Sequence, residues 1–236
     1  MNAAWYHIFI TILILTGLEI VLGVDNIVFL TIVTSRLSRD RQALARRIGI
    51  VLATVTRLLL LALAVWITLL VEPIFYLGQY ACSARDLLFI FGGLFLFFNS
   101  MKEFMSTYRK TDNIEEKLLH ESFKLAVLQI MLFDMIFSLD SIITAIGIAQ
   151  TYWVMALAVV IGMLFMLFAS DILSQVIHRH VGIKRIALGF LVILGVVLIA
   201  DGFHWIFPRV YLYFALAFAL LIEVLHIGYA KTKTIH

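Results

Sequence analysis

Apolar runs of about 18 to 25 residues, separated by short charged clusters, recur from one end of the sequence to the other, and that is the helix length needed to cross a hydrocarbon core of roughly 30 Å. Inside such a core each backbone polar group must be satisfied within its own segment, which restricts an apolar run of this length to helix. Of the 236 residues 63% are hydrophobic and 14% charged, against about a half and a quarter in soluble domains. The chain therefore reads as an all-α, polytopic integral membrane protein in contact with the lipid bilayer, with no room for a soluble domain. The first run lacks a basic flank and carries two acids, so it reads as a retained helix rather than a cleaved signal.

Helices are expected near residues 6–34, 46–70, 86–103, 122–148, 152–177, 185–202 and 209–229, which makes seven spans. Pro73 and Pro208 fall at helix ends, and Trp5, Tyr6, Trp66, Tyr152, Trp153, Trp205 and Tyr211 mark interface belts. Fifteen of the eighteen Lys and Arg residues lie after the first, third and fifth runs or in the tail. That bias puts the N-terminus outside and the C-terminus in the cytoplasm. The net charge of +3 has the same origin and implies no nucleic-acid partner. Residues 104–121 carry both signs of charge and are expected as a cytoplasmic linker between two halves of one membrane domain, 1–103 and 122–203, with a seventh helix and tail over 204–236.

Two of the runs share an acidic pattern. Glu19-Ile-Val-Leu-Gly-Val-Asp25-Asn26 in the first returns as Asp134-Met-Ile-Phe-Ser-Leu-Asp140-Ser141 in the fourth, at a constant offset of 115 residues. Three spans separate the two, an odd number, so the helices cross in opposite directions. Helices one to three and four to six are then expected as an inverted repeat with one helix added, a plan of secondary transporters whose sites lie near the bilayer midplane. A weaker echo relates Gly49 and Arg57 to Gly162 and Ser170.

A carboxylate at mid-membrane costs at least about 2.5 to 3.5 kcal/mol, so Glu19, Asp25, Asp134 and Asp140 require partners, a cavity or protons. Glu19, Gly23 and Asn26 share a helical face, as do Asp134, Ser138 and Ser141. The second Asp of each motif lies about 120° round and about 9 Å further along. Either the helix loosens, at Gly23 in the first run, and frees carbonyls to coordinate, or the acids form two layers of a path; the glycine favours loosening in the first helix. Crossed at the centre, the two helices would offer four carboxylates, the Asn26 amide and the Ser141 hydroxyl. These are hard oxygen donors, suited to Mn²⁺, Ca²⁺ or Mg²⁺ as a transported ion rather than a permanent cofactor. Acids held so close cannot all ionise cheaply, so some would hold protons until a divalent cation arrives and expels them, the basis for cation/proton antiport.

Other polar residues admit two readings each. Arg57 would balance a carboxylate or snorkel to an interface; Asp171 would pair with Arg57 or reach water; Glu223, three residues before His226, is a proton relay or an interface residue. Met131 and Met135 beside Asp134 read as packing residues, Glu103 as a solvated helix end, and Gly92-Gly93, Gly189 and Gly195 as points of close helix contact. Cys82 stands alone, which excludes an internal disulfide. No nucleophile and base pair, nucleotide loop or HExxH motif is present, so the chain does not read as an enzyme.

The paired acidic motif, with Ala45-Arg46-Arg47 and Ser83-Ala84-Arg85-Asp86 before Gly92-Gly93, resembles the signature of the TerC family of integral membrane proteins, within the wider LysE-type transporter superfamily. The resemblance spans nearly the whole chain. It implies a protein of the bacterial cytoplasmic membrane linked to Mn²⁺ efflux or tellurite resistance, with Glu19, Asp25, Asn26, Asp134, Asp140 and Ser141 as ligands. A membrane partner protein in metal or oxyanion stress is the alternative to a transporter, and assembly of identical copies is a possible arrangement for either.

Overall fold

Seven α-helices make up nearly all of the residues that the structure, a computed structural model, describes, namely 2–63, 73–77, 80–109, 122–148, 151–205 and 207–233. In chain order they are α1 (Asn2–Thr34), α2 (Arg39–Ala62), α3 (Ala84–Arg109), α4 (Phe123–Ile148), α5 (Tyr152–Arg179), α6 (Val181–Gly202) and α7 (Arg209–Lys233), with a hairpin of β1 (Pro73–Leu77) and β2 (Tyr80–Ser83) between α2 and α3. Among the described residues five helices are long and apolar enough to cross a membrane: Trp5–Thr34, Ala84–Thr107, Tyr152–Arg179, Val181–Gly202 and Arg209–Tyr229. Of the other two expected spans, α2 carries Arg46, Arg47 and Arg57, and α4 carries Lys124, Asp134 and Asp140.

Several boundaries move, each for a local reason. The second helix begins at Arg39 rather than near 46, because the Arg41 and Gln42 amides bond Ser38 O at 2.9 and 3.2 Å and Asp40 sits in the first turn, where the helix dipole favours an acid. The Gln42 side chain closes the preceding turn by donating to Leu37 O at 2.9 Å. This helix ends at Ala62, and the remainder of the expected span, 64–70, lies outside the described residues. Pro73 opens a strand rather than merely ending a helix, a position where its missing N–H costs little. The hairpin pairs Phe75 with Cys82 and Leu77 with Tyr80, with a register irregularity between Pro73 and Phe75. Nothing between Asn99 and Arg109 breaks a helix, so α3 runs six residues into the segment expected as a linker; residues 110–121 lie outside the description.

By contacts the described chain divides into two compact units. The first holds residues 1–85 and 117–174, hence α1, α2, the hairpin, α4 and most of α5; the second holds 86–116 and 175–236, hence α3, α6 and α7. In the first unit, Ile32 and Val33 of α1 and Phe137, Leu139 and Ile142 of α4 are buried, and the rings of Phe29 and Phe133 stand 4.3 Å apart. Burial of side chains this large contributes roughly 1.5 to 3 kcal/mol each in water, but within lipid the gain comes from close packing instead. In the second unit Leu188, Leu191, Leu194 and Leu198 are buried along α6. A Cβ on Gly93 would fall 2.7 Å from Gly195 O, and one on Gly195 would fall 2.8 Å from Phe97 N, so the α3 and α6 backbones touch at both glycines. Gly189 does not share this role, since its nearest neighbour is Phe104 at 3.9 Å, an ordinary contact. Trp5, Phe9 and Leu13 of α1 and Phe214, Phe218 and Leu225 of α7 turn outward, as lipid-facing surfaces do.

Candidate functional site

The first helix runs unbroken through Gly23, and the fourth runs unbroken through Ser138. The expected loosening at Gly23 is therefore absent. The glycine instead admits α5: a Cβ there would lie 2.5 Å from Met166 Cε. Ser138 turns its hydroxyl to Met135 O of its own helix at 3.0 Å. With α1 intact, the six-residue spacing aims Glu19 and Asp25 in different directions.

Glu19, Asn26 and Asp134 do come together, around a residue from a third helix. Arg57 of α2 donates through Nη1 to Glu19 Oε2 and through Nη2 to Asp134 Oδ1 at 2.7 Å. Asn26 Nδ2 donates to the same Asp134 Oδ1 at 3.1 Å. All are sequestered, with side-chain exposures of 7% for Arg57, 8% for Glu19 and 12% for Asp134. A planar guanidinium fork suits two carboxylates on either side of it, which a point-charge ammonium would serve less well. The pairing accounts for how three charges are held within apolar helices, and removal of one partner from such a cluster costs about 3–5 kcal/mol. Helix α5 supports it from behind, since a Cβ on Gly162 would meet Glu19 Cβ at 3.0 Å.

A cavity of about 30 Å³ adjoins the cluster, lined by Asn26, Arg57 and Asp134 among apolar residues that include Ile130, Met163 and Met166. That is room for about a single water-sized guest. Asn26 Oδ1 is buried with no hydrogen-bond partner among the described residues. Glu19, Asp25 and Ser141 do not line this space. The Asp25 carboxylate is fully buried and accepts from the Asn26 amide N–H at 3.1 Å, while Ser141 donates to Ser138 O at 3.0 Å. The Asp140 side chain lies outside the described residues. Among those described, no three His, Cys, Asp or Glu side chains lie close enough to hold a metal ion together. Among the described carboxylates of the expected set, a guanidinium stands between Glu19 and Asp134.

The remaining polar residues sort differently from the sequence reading. Asp171 pairs with Arg46 at 2.8 Å and Arg47 at 3.4 Å rather than with Arg57, and Arg46 also donates to Ser174 Oγ at 3.0 Å. Arg46 precedes Arg57 by three helical turns on α2, so the two arginines serve acids at different depths. Glu103 is tied to α6 by Lys184 Nζ at 3.0 Å. Glu223 of α7 presses its carboxylate against Gly182 in the first turn of α6, where the dipole favours an anion. Arg46, Met163 and Met166 were missed as site residues. A sequence signal existed only for Arg46, in the charged pair at 46 and 47, since methionines facing a cavity and methionines facing lipid look alike in sequence.

The sequence also matches known membrane proteins along nearly its whole length. The family described as "Integral membrane protein TerC family" matches residues 5–234. The chain is 43% identical over 215 residues to the inner membrane protein YgdQ of Escherichia coli (strain K12), covering 90% of each. It is 38% identical over 219 residues to a Haemophilus influenzae protein, covering 92% of each. Similarity to the inner membrane protein YoaE of Escherichia coli (strain K12), 39% over 217 residues, covers 90% of this chain and 41% of that one. No solved structure matches.

Proposed function

Because the chain belongs to the TerC family of integral membrane proteins, we propose that it is a secondary transporter of the bacterial inner membrane that exports a divalent cation, Mn²⁺ above all, by proton antiport. The observation that carries this reading is the convergence of Glu19 and Asp134 from two helices on Arg57 of a third, with Asn26 on Asp134, beside a cavity. Ionisable residues inside a membrane protein are costly and mark ion or proton paths. Two carboxylates share one guanidinium, which leaves one negative charge in excess, and either a proton or an incoming cation supplies the balance. Carboxylate and amide oxygens suit a hard cation and give no reason to expect Zn²⁺ or Cu⁺. In this reading Glu19, Asn26 and Asp134 form one layer of the path, and Asp25, Asp140 and Ser141 form a second. Names of relatives support the inner membrane as the location.

The test is metal flux in proteoliposomes under an imposed pH gradient, comparing Mn²⁺, Ca²⁺, Mg²⁺ and Zn²⁺ for the wild type and for the Asp25→Asn, Asp140→Asn double variant. Proton-coupled Mn²⁺ movement that the double variant loses is expected. Absence of flux of every ion, in protein shown to be folded, would move the function to a membrane partner protein.

A further inference from the structure

We propose that Arg57 is a tethered substitute for the transported cation: its guanidinium occupies the carboxylate oxygens the ion must take, leaves them when the ion binds, and returns when the ion departs. This rests on the transport reading above and adds the event that makes loading and unloading an exchange. The geometry is specific. The two oxygens nearest the guanidinium, Glu19 Oε2 and Asp134 Oδ1, come from helices α1 and α4, the pair that carries the repeated acids. Each Arg57 terminal nitrogen takes one of them, so neither oxygen is available to an ion at bonding distance while the fork is in place. Asn26 already reports the competition. Its amide nitrogen leans on Asp134 Oδ1, while its carbonyl oxygen, a hard donor, is buried with no hydrogen-bond partner among the described residues. The cavity lined by Asn26, Asp134 and Arg57 is the space from which an ion would first reach Asp134.

The functional consequence follows from the cost of exposing bare charge to a membrane interior. A carrier that has released its ion must cross back with its acids neutralised. Arg57 supplies one of the two positive charges from within the chain and a proton supplies the other, so the unloaded carrier can reorient without cargo. The same residue reduces the apparent affinity for the ion, because only the fraction of sites that Arg57 has vacated can bind.

A competitor and a scaffold residue predict opposite signs. Binding of ⁵⁴Mn²⁺ to purified full-length protein, and ⁵⁴Mn²⁺ movement in proteoliposomes, would be measured for the wild type, Arg57→Gln and Arg57→Lys. Tighter binding by Arg57→Gln is expected, by roughly tenfold, with wild-type weakness partly restored in Arg57→Lys. Arg57→Gln should also continue to exchange internal for external Mn²⁺, while net efflux into Mn²⁺-free medium falls by more than about tenfold. Weaker binding by a monodisperse Arg57→Gln protein, or net efflux matching the wild type, overturns the proposal. Arg57→Lys decides the matter if Arg57→Gln does not fold: a lysine that binds Mn²⁺ more weakly than the wild type refutes competition. If neither the wild type nor either variant binds or moves Mn²⁺, Ca²⁺ or Mg²⁺, the transport reading itself fails; tighter binding with no flux would leave the site intact and remove only the carrier role.

Discussion

The two acid-bearing helices, α1 and α4, are packed by matched glycines from α5 and α2, but only α2 supplies a countercharge. Gly162 of α5 lies under Glu19 of α1, and Gly49 of α2 lies against Ile130 of α4, where a Cβ would be 2.9 Å from Ile130 Cδ1. Each glycine thus brings the second helix of one half of the sequence against the first helix of the other. Eight residues beyond its glycine, α2 carries Arg57, which reaches both Glu19 and Asp134. At the corresponding place α5 carries Ser170, whose hydroxyl returns to Leu167 O of its own helix at 3.0 Å. The frame is repeated and the countercharge is not. One cation thus serves two sequence-matched acids, whereas a second arginine beside it would bring two positive charges together in a buried place.

Removing the unshared element should have the largest effect on stability. Arg57→Leu leaves Glu19 and Asp134 buried together with no cation, so a loss of about 3–5 kcal/mol is expected in unfolding measured in detergent micelles. Adding Glu19→Gln and Asp134→Asn to Arg57→Leu should recover most of that loss, because a neutral cluster of similar shape has no bare charge to solvate. An unaltered melting profile for Arg57→Leu would mean that the two acids are held by something other than the guanidinium.

Next come the matched glycines, which sharpen the comparison because they separate packing from charge. Gly49→Val and Gly162→Val should each destabilise by about 1–3 kcal/mol through forced helix separation. Their effects on transport should differ. Gly162→Val displaces Glu19 and is expected to lower Mn²⁺ flux beyond its stability cost, while Gly49→Val displaces only the Ile130 side chain. Equal flux from the two variants, at matched amounts of folded protein, would show that the position of Glu19 is not limiting.

How far the site was legible in the sequence follows from which contacts are local. Glu19 and Asn26 share a face at seven-residue spacing in any unbroken helix, so their partnership on α1 could be read directly, as could the likeness of Asp134 to Glu19. That Arg57 balances a carboxylate was one of two open readings, and only the packing of α2 against α4 decides it. Propensity alone treats glycine as weak helix and so favours a break at Gly23; in a membrane protein an absent side chain is as readily used for close approach, here by Met166. Asp171 does reach water in part, but its arginine partners are Arg46 and Arg47 rather than Arg57, since the depth of α2 beside α5 has no sequence signature. The hairpin at Pro73–Ser83 was missed for a related reason: a proline beside an apolar run reads as a helix end, and nothing nearby marks it as a first strand residue.

Asp171→Asn should cost less than the buried changes, about 1 kcal/mol or below, because its side chain is 34% exposed and water replaces part of what Arg46 and Arg47 supply. The smallest effect belongs to Ser170→Ala. Although Ser170 is 1% exposed, its hydroxyl serves only a carbonyl of its own helix, and alanine fits a helix at least as well. A change within about 0.5 kcal/mol is expected, with Mn²⁺ flux intact. This substitution is the keenest check on the asymmetry between the two sequence halves. If Ser170→Ala impaired flux while leaving the melting profile alone, the hydroxyl would have to turn from Leu167 to an ion or a proton at some stage of the cycle, and α5 would carry a counterpart to Arg57 after all.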